Sequence, residues 1–512
     1  MKPLSVLLWS LVGMATTSGT VALMTPTSSA SAASPARPVA STKASAWASE
    51  TAERAGAKDA SALVPATVAA PTVSPRFVAD GLLHVEGRLG HTSLPRGEAR
   101  ESFVFVSIDA PADRRLEERP PIDVGIVIDR SGSMKGSRLR NAVAAARGMV
   151  ERLGPDDRIS LVAYDGRAEL LLPSTRVGSL DRLGFDRTLA RLRHGGNTCL
   201  SCGLELAMAQ LRGRDGLGRV LLLSDGQANR GLTTPDQLRS LGDMARGEQL
   251  AIASIGVDVD YDERTMFAVS EASNGEHYFV EDPRGLSAVF EQERVAMAGT
   301  VADEASVDVT LAAGVELLEV VDRPHQRRGE TIALSLGSFA GGDAKTVLLR
   351  VRVRADEDLA ARPVASVRLS YRDLGQGRIQ THRAELGLPL DEPGTAPPTL
   401  DPAVEARLGR KDAFDALLTA NEAFDRGDLD AAERTLASAR REIESRRQRT
   451  ASAPAAAPAI DDDFERQLQA LGSASTSFDE ASRGEAPASA PRRRKGKAAT
   501  KSNMAMANPF SD

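Results

Sequence analysis

The sequence predicts an α/β protein: a doubly wound, mostly parallel six-stranded sheet, inserted in or followed by an antiparallel β domain, with a C-terminal helical hairpin. Three observations predict it. In the middle third, apolar runs at Val124–Ile128, Ile159–Tyr164, Glu169–Leu172, Val220–Leu223, Leu250–Val257 and His277–Val280 alternate with segments of helical period. After Thr300 the pattern turns to period two, as in Ala305–Leu311, Thr331–Leu336, Thr346–Val353 and Ala365–Tyr371. Beyond a proline-rich boundary from Pro393 to Pro402, apolar residues recur at spacings of three and four.

Taken in order, the chain opens with Lys2, an apolar stretch from Leu4 to Ala15, and a small-residue cleavage signal at Ala30-Ser31-Ala32. Residues 1–32 therefore read as a secretory signal peptide. The alternative is an uncleaved membrane anchor, because Val21–Met24 extends the apolar character. Either way the body is expected to be exported, in the periplasm or cell envelope or secreted. Residues 33–76 are rich in Ala, Ser, Thr and Pro, with too little apolar surface to offset the entropy of ordering, and are expected to be a disordered linker. Residues 77–121 carry strand-like alternation at Leu82–Leu89 and Ser102–Ile108.

Within residues 122–297 the helical segments are Arg138–Leu153, Asp181–Leu192, Leu200–Leu211, Pro235–Ala245, Asp262–Ser273 and Pro283–Met297. Only a few residues separate the run ending at Tyr164 from Ala168–Leu172, too few for a crossover, so that pair is expected to be an antiparallel hairpin. Residues 298–392 are expected to form a β-sandwich-like domain, with the strands before the α/β unit joining those after it. In 403–447, Phe414, Leu417 and Leu418 share one helical face, Gly427-Asp428 breaks the helix, and Leu429, Ala432, Leu436, Ala439 and Ile443 share another. That hairpin resembles one tetratricopeptide-type repeat and needs something to cover it. Residues 448–512 are expected to be a disordered tail with a short amphipathic piece, Phe464–Leu471, and a solvated basic cluster at Arg492–Lys497 with Lys501.

Composition narrows the function classes. Lys and Arg total 64 against 70 Asp and Glu, a net charge of −6, which argues against a chain built to coat nucleic acid. Hydrophobic residues at 42% leave room for a core, and with 13 Phe, 4 Tyr and 2 Trp that core must be mainly aliphatic. Two cysteines exclude a disulfide scaffold and a four-cysteine zinc site. None of the histidines lies in an H-E-x-x-H pattern, and no Walker-type phosphate loop is present.

The chemistry concentrates on three loops. Asp129-Arg130-Ser131-Gly132-Ser133 follows the buried-looking strand Asp123–Ile128. Gly195-Gly196-Asn197-Thr198 leads into a helix, and Ser224-Asp225-Gly226 follows the strand Arg219–Leu223. Ligands collect at the carboxyl ends of strands in open α/β sheets, so two carboxylates and three hydroxyls converge on one rim. Hard divalent cations take about six oxygen ligands, and hydroxyls supply oxygen without cancelling charge. Asp129, Ser131, Ser133, Thr198 and Asp225 are thus candidate ligands of Mg²⁺, or of Mn²⁺ or Ca²⁺. The rim shows no evident base to activate water, so no enzyme is expected and no catalytic residue is assigned.

These motifs resemble the metal-ion-dependent adhesion site of von Willebrand factor type A domains, whose pattern maps onto the same five residues. The resemblance covers about Ile122 to Met297. It implies a sheet in the order 3-2-1-4-5-6. The flanking β segments are loosely similar to inter-alpha-trypsin inhibitor heavy-chain-like and bacterial relatives. Cys199-Leu200-Ser201-Cys202 departs from the usual loop. It is a candidate local disulfide; two free thiols, a redox pair, or a partial zinc site with His194 are the alternatives. Asp258–Glu263 has the look of a calcium string, but reads better as a strand-end loop that caps the next helix.

The expected function is metal-dependent capture of a protein partner through its Asp or Glu, an adhesion or scaffold role. Arg130, Met134, Asn197, Gln227 and Asn229 are candidate partner contacts by position. The alternatives are an envelope assembly or channel-accessory subunit docking through its β and helical regions, and a C-x-x-C oxidoreductase. No specific nucleic acid is expected as a partner.

Overall fold

A computed structural model describes residues 74–507, apart from 114–115, 117–118, 215, 322, 357–361, 397, 452–457 and 484–489. The expected signal segment and all but the end of the linker lie outside the described residues.

The α/β unit is built from β1 (Ile122–Asp129), α1 (Ser137–Arg152), β2 (Arg158–Tyr164), β3 (Ala168–Arg176), α2 (Arg182–Arg191), α3 (Leu200–Leu211), β4 (Leu217–Ser224), α4 (Pro235–Gly247), β5 (Ala251–Val257), α5 (Glu263–Ala272), β6 (His277–Val280) and α6 (Leu286–Ala298). Its six strands run in the order β3-β2-β1-β4-β5-β6. All neighbours are parallel except β2 and β3, whose register from Arg158↔Arg176 to Tyr164↔Ala168 is the hairpin demanded by the short connection. β1 is central and buried along its whole length. Its side chains alternate between faces: Ile126 and Ile128 pack with Leu139, Met149 and Phe290, while Val127 packs with Tyr164, Leu204 and Leu238. Helix starts follow local rules. Thr234 and Gln237 form a capping box ahead of Pro235, and Asp181 and Asp262 cap α2 and α5 through backbone N–H groups.

This unit is inserted into a β-sandwich. One five-stranded sheet pairs Ala99–Asp109, from before the insertion, with Ala344–Arg354, from after it; the other contains Thr300–Leu311, Thr331–Ala340 and Pro363–Asp373. Both sheets give alternate residues to one core, in which Val104, Val106 and Ile108 meet Val307, Leu334 and Leu369.

Four helices close the described chain: α7 (Pro402–Asp425), α8 (Leu429–Ala451), α9 (Pro458–Ser482) and α10 (Ala490–Ala507). The expected hairpin is α7 and α8. The expected disordered tail is corrected, since α9 and α10 are helices that pack on that hairpin. Leu417, Leu436 and Ile443 share a core with Phe464, Leu471 and Phe478, and the rings of Phe424 and Phe478 stack with centroids 4.4 Å apart. The alanine-rich composition that looked disordered is also the composition of a good helix former, and α9 carries its large apolar residues at helical spacing. Among the described residues no helix is long and apolar enough to cross a membrane.

Candidate metal-ion site

The five candidate oxygens belong to three loops, and backbone hydrogen bonds join two of them. Gly195 N–H donates to the Arg130 carbonyl at 2.6 Å, and Gly132 N–H to the Gly196 carbonyl at 3.2 Å. The side chains then meet. Asp129 is fully buried; its Oδ1 accepts from the Ser131 N–H at 2.7 Å and its Oδ2 from the Ser224 hydroxyl at 2.8 Å. The Ser131 and Ser133 hydroxyls lie 3.0 Å apart, and the Ser133 hydroxyl donates to Asp225 Oδ1 at 2.6 Å. Thr198 lies beside Gly226, on the same rim. A methyl placed on Gly226 would stand 3.4 Å from Ser133 Oγ and 3.9 Å from Thr198 Oγ1. Asn229 holds this threonine: its Oδ1 accepts from Thr198 N–H at 2.9 Å, and its own N–H donates to the Thr198 carbonyl at 3.0 Å.

Burial without enough countercharge sets the electrostatics. Desolvation pushes the Asp129 carboxyl up to about 6, its hydrogen bonds pull the other way, and the charge of Asp225 adds to the rise. Asp225, also fully buried, is raised by desolvation although Ser133 and Arg138 partly offset it. The rim thus holds two buried carboxylates against one guanidinium, and its other donors are neutral hydroxyls. That donor chemistry fits a hard divalent cation, which would supply the missing positive charge. Among the described residues no group of three or more His, Cys, Asp and Glu is arranged to hold a metal. Any cation here would therefore depend on the hydroxyls.

The guanidinium was not foreseen. Arg138, in the first turn of α1, donates from Nη1 to Asp225 Oδ2 and to the Ser133 carbonyl, both at 2.8 Å, and pairs with Asp258 through Nε and Nη2. Its position in the sequence, nine residues after Asp129, gave no signal beyond proximity. Asp258 was the better clue, because it stands at the carboxyl end of β5 where site residues belong. Its backbone has φ +65°, and burial raises its carboxyl less than Arg138, the Val259 N–H and Arg494 lower it, so it lies below the usual carboxylate range. Asp262, in the same string, caps α5 as expected.

Two candidate partner contacts are corrected. Met134 is fully buried in the core beneath α1, because the short helical turn Gly132–Met134 directs it inward. Arg130 is only 14% exposed and is committed to Asp165 at 3.2 Å and Glu169 at 2.7 Å. Asn197, Gln227 and Asn229 are exposed, with the Asn229 oxygen already engaged by Thr198. Cys199 and Cys202 form a disulfide at the start of α3, leaving no thiolate for a zinc site with His194. Cys199 N–H donates to the Asp165 carbonyl at 2.6 Å, so the bridge sits against the loop that also holds Arg130.

Comparison with known proteins agrees with this architecture. A family model described as the von Willebrand factor type A domain matches residues 124–227. An uncharacterised protein of Synechocystis is 26% identical over 298 residues, covering 56% of this chain and 69% of its own length. Mouse inter-alpha-trypsin inhibitor heavy chain 4 is 27% identical over 150 residues, covering 27% of this chain and 16% of that protein. A solved von Willebrand factor type A structure from Catenulispora acidiphila superposes with a TM-score of 0.61 at 15% identity, covering 79% of this chain and 91% of that one. It shares the fold.

Proposed function

We propose that this chain, which carries a von Willebrand factor type A domain, is an exported binding protein that captures a protein partner through a divalent cation held at the rim. The observation that carries the reading is the unbroken contact from Ser131 through Ser133 to Asp225, set beside the under-neutralised Asp129. Ser131, Ser133, Thr198, Asp129 and Asp225 would hold the ion. A bound Mg²⁺, or Mn²⁺ or Ca²⁺ in its place, would supply a Lewis-acidic centre able to accept an Asp or Glu carboxylate from the partner.

The chain's own part is to preorganise oxygens and to present them. Ser224 and the Ser131 N–H fix the orientation of Asp129, Asn229 fixes Thr198, and Ser133 reaches the exposed edge. Asn197 and Gln227 flank that edge and are suited to meet polar groups beside the partner's carboxylate. The groups touching the two rim carboxylates are hydroxyls, a backbone N–H and a guanidinium, none of which takes up a proton near neutral pH. The apolar face of the hairpin is covered by α9 and α10.

The test is calorimetric titration of the full chain with Mn²⁺ and Mg²⁺, paired with capture from envelope extract in Mg²⁺ and in EDTA. One cation site and EDTA-released capture, both lost in Asp129→Ala with the thermal melt retained, are expected. Equal cation binding by wild type and variant would overturn the reading.

A further inference from the structure

Two sequence features stand outside the proposed function: the acidic string Asp258–Glu263 and the basic cluster of the C-terminal segment. In the structure they are one interface. Arg494 pairs with Asp258 at 2.7 Å, Lys497 with Asp260 at 2.7 Å, and Lys501 with Glu263 at 3.1 Å. These cations fall at i, i+3 and i+7, one face of α10. Lys501 is buried, and beyond Glu263 its ammonium donates to the Tyr261 carbonyl at 2.8 Å and lies 4.0 Å from the centre of the Tyr261 ring. The opposite side of α10 is held by the helical bundle: Asn503 bonds Asn421 and Ser477, and the Asn421 amide donates to the Thr500 carbonyl at 2.9 Å. The helix is thus clamped between its own bundle and the loop beside the candidate metal site.

Arg138 links that loop to the site. Asp258 takes Arg494 on Oδ1 and Arg138 on Oδ2, and Arg138 also donates to Asp225. Resting on the reading of the rim as a cation site, we propose that α10 is a latch that damps cation binding there. With α10 docked, Arg494 shares the charge of Asp258, so Arg138 is left to neutralise Asp225. With α10 released, the whole charge of Asp258 draws Arg138 away, and Asp225 turns to the cation. Coupling of this kind is reciprocal: a cation that displaces Arg138 from Asp225 drives it onto Asp258, in competition with Arg494, and loosens α10.

Two single reversals in the full chain test this, Lys497→Glu and Asp260→Lys. Each replaces an attraction with a repulsion at the same contact, yet they change the local charge in opposite directions. Hydrogen exchange over residues 490–507 reports docking, and Mn²⁺ titration reports the site. Faster exchange in both variants and Mn²⁺ binding tightened about fivefold in both are expected. The double variant should restore both readouts, and saturating Mn²⁺ should speed exchange of α10 in the wild type. Unchanged exchange in both single variants would overturn the latch. So would faster exchange with Mn²⁺ affinity unmoved, or tightened by Lys497→Glu and weakened by Asp260→Lys, the signature of a plain field effect. If the wild type binds no Mn²⁺, the cation-site reading falls and the latch with it; if it binds and neither reversal tightens it, only the latch falls.

Discussion

The Ser133 hydroxyl donates to Asp225 Oδ1 at 2.6 Å across 92 positions of sequence, and this contact joins the end of β1 to the end of β4. Ser133 is also the most exposed of the five candidate ligands, so it tests the site with least risk to the fold. Ser133→Ala should weaken Mn²⁺ binding at least about tenfold, the scale on which loss of a supporting group acts at metal sites. Its stability without metal should fall by about 1–3 kcal/mol, because the buried Asp225 Oδ1 loses a hydrogen-bond donor. Calorimetry and a denaturant melt on the same preparation check both halves.

Cation binding should also appear as stability. A ligand that binds only the folded state contributes about 2.7 kcal/mol at one hundred times its dissociation constant. Titrating Mg²⁺ into the apo protein should raise the melting temperature, with a further gain for each decade of concentration. The same titration on Asp129→Ala should leave the midpoint flat. A rise of equal size in the variant would mean that the cation binds elsewhere.

Much of this site could be read from the sequence because its parts are local. Asp129, Ser131 and Ser133 sit within five residues, and each loop follows an apolar strand or precedes a helix, so topology alone brings them to one rim. The hairpin was legible for a similar reason, since the distance from Tyr164 to Ala168 leaves no room for a crossover. Arg138 and Asp258 were not legible as partners, because their pairing spans 120 positions and depends on where β5 ends relative to α1. Met134 was misplaced because position in a loop does not reveal which way a turn of 3₁₀ helix points its side chain. The C-terminal helices were missed because an Ala- and Ser-rich composition fits both a tether and a helix, and only the hairpin they cover decides between them.

The Cys199–Cys202 bridge should stiffen the metal loop more than it stabilises the fold. It closes a very short loop, and chain-entropy reasoning gives about 2 kcal/mol for such a link. Replacing both cysteines with serine should cost no more than that in a denaturant melt. Cation affinity should fall as well, because Thr198 directly precedes the bridge and Cys199 N–H ties it to the Asp165 loop. Reduction of the wild type should reproduce both effects. An unchanged Mn²⁺ isotherm would show that Asn229 alone holds Thr198.

His277 should make the fold acid-sensitive. It is fully buried between β5 and α5, with Nδ1 2.8 Å from the Ser254 hydroxyl and Nε2 3.0 Å from the Tyr261 hydroxyl. Burial, and then the charge of Lys501, lower its imidazole to about 3, so it stays neutral in the folded chain. In the unfolded chain it takes up a proton near its ordinary value of about 6.5. Above that value neither state is protonated and the group makes no difference. As the pH falls below it, only the unfolded state gains the proton, so stability drops by about 1.4 kcal/mol per pH unit until the folded value is reached. His277→Gln keeps polar atoms facing Ser254 and Tyr261 but cannot titrate. The variant should lose some stability at pH 7, yet its stability should fall less steeply than that of the wild type between pH 6 and pH 4. Urea melts of both proteins across that range give the comparison, and parallel slopes would assign the acid sensitivity to the carboxylates.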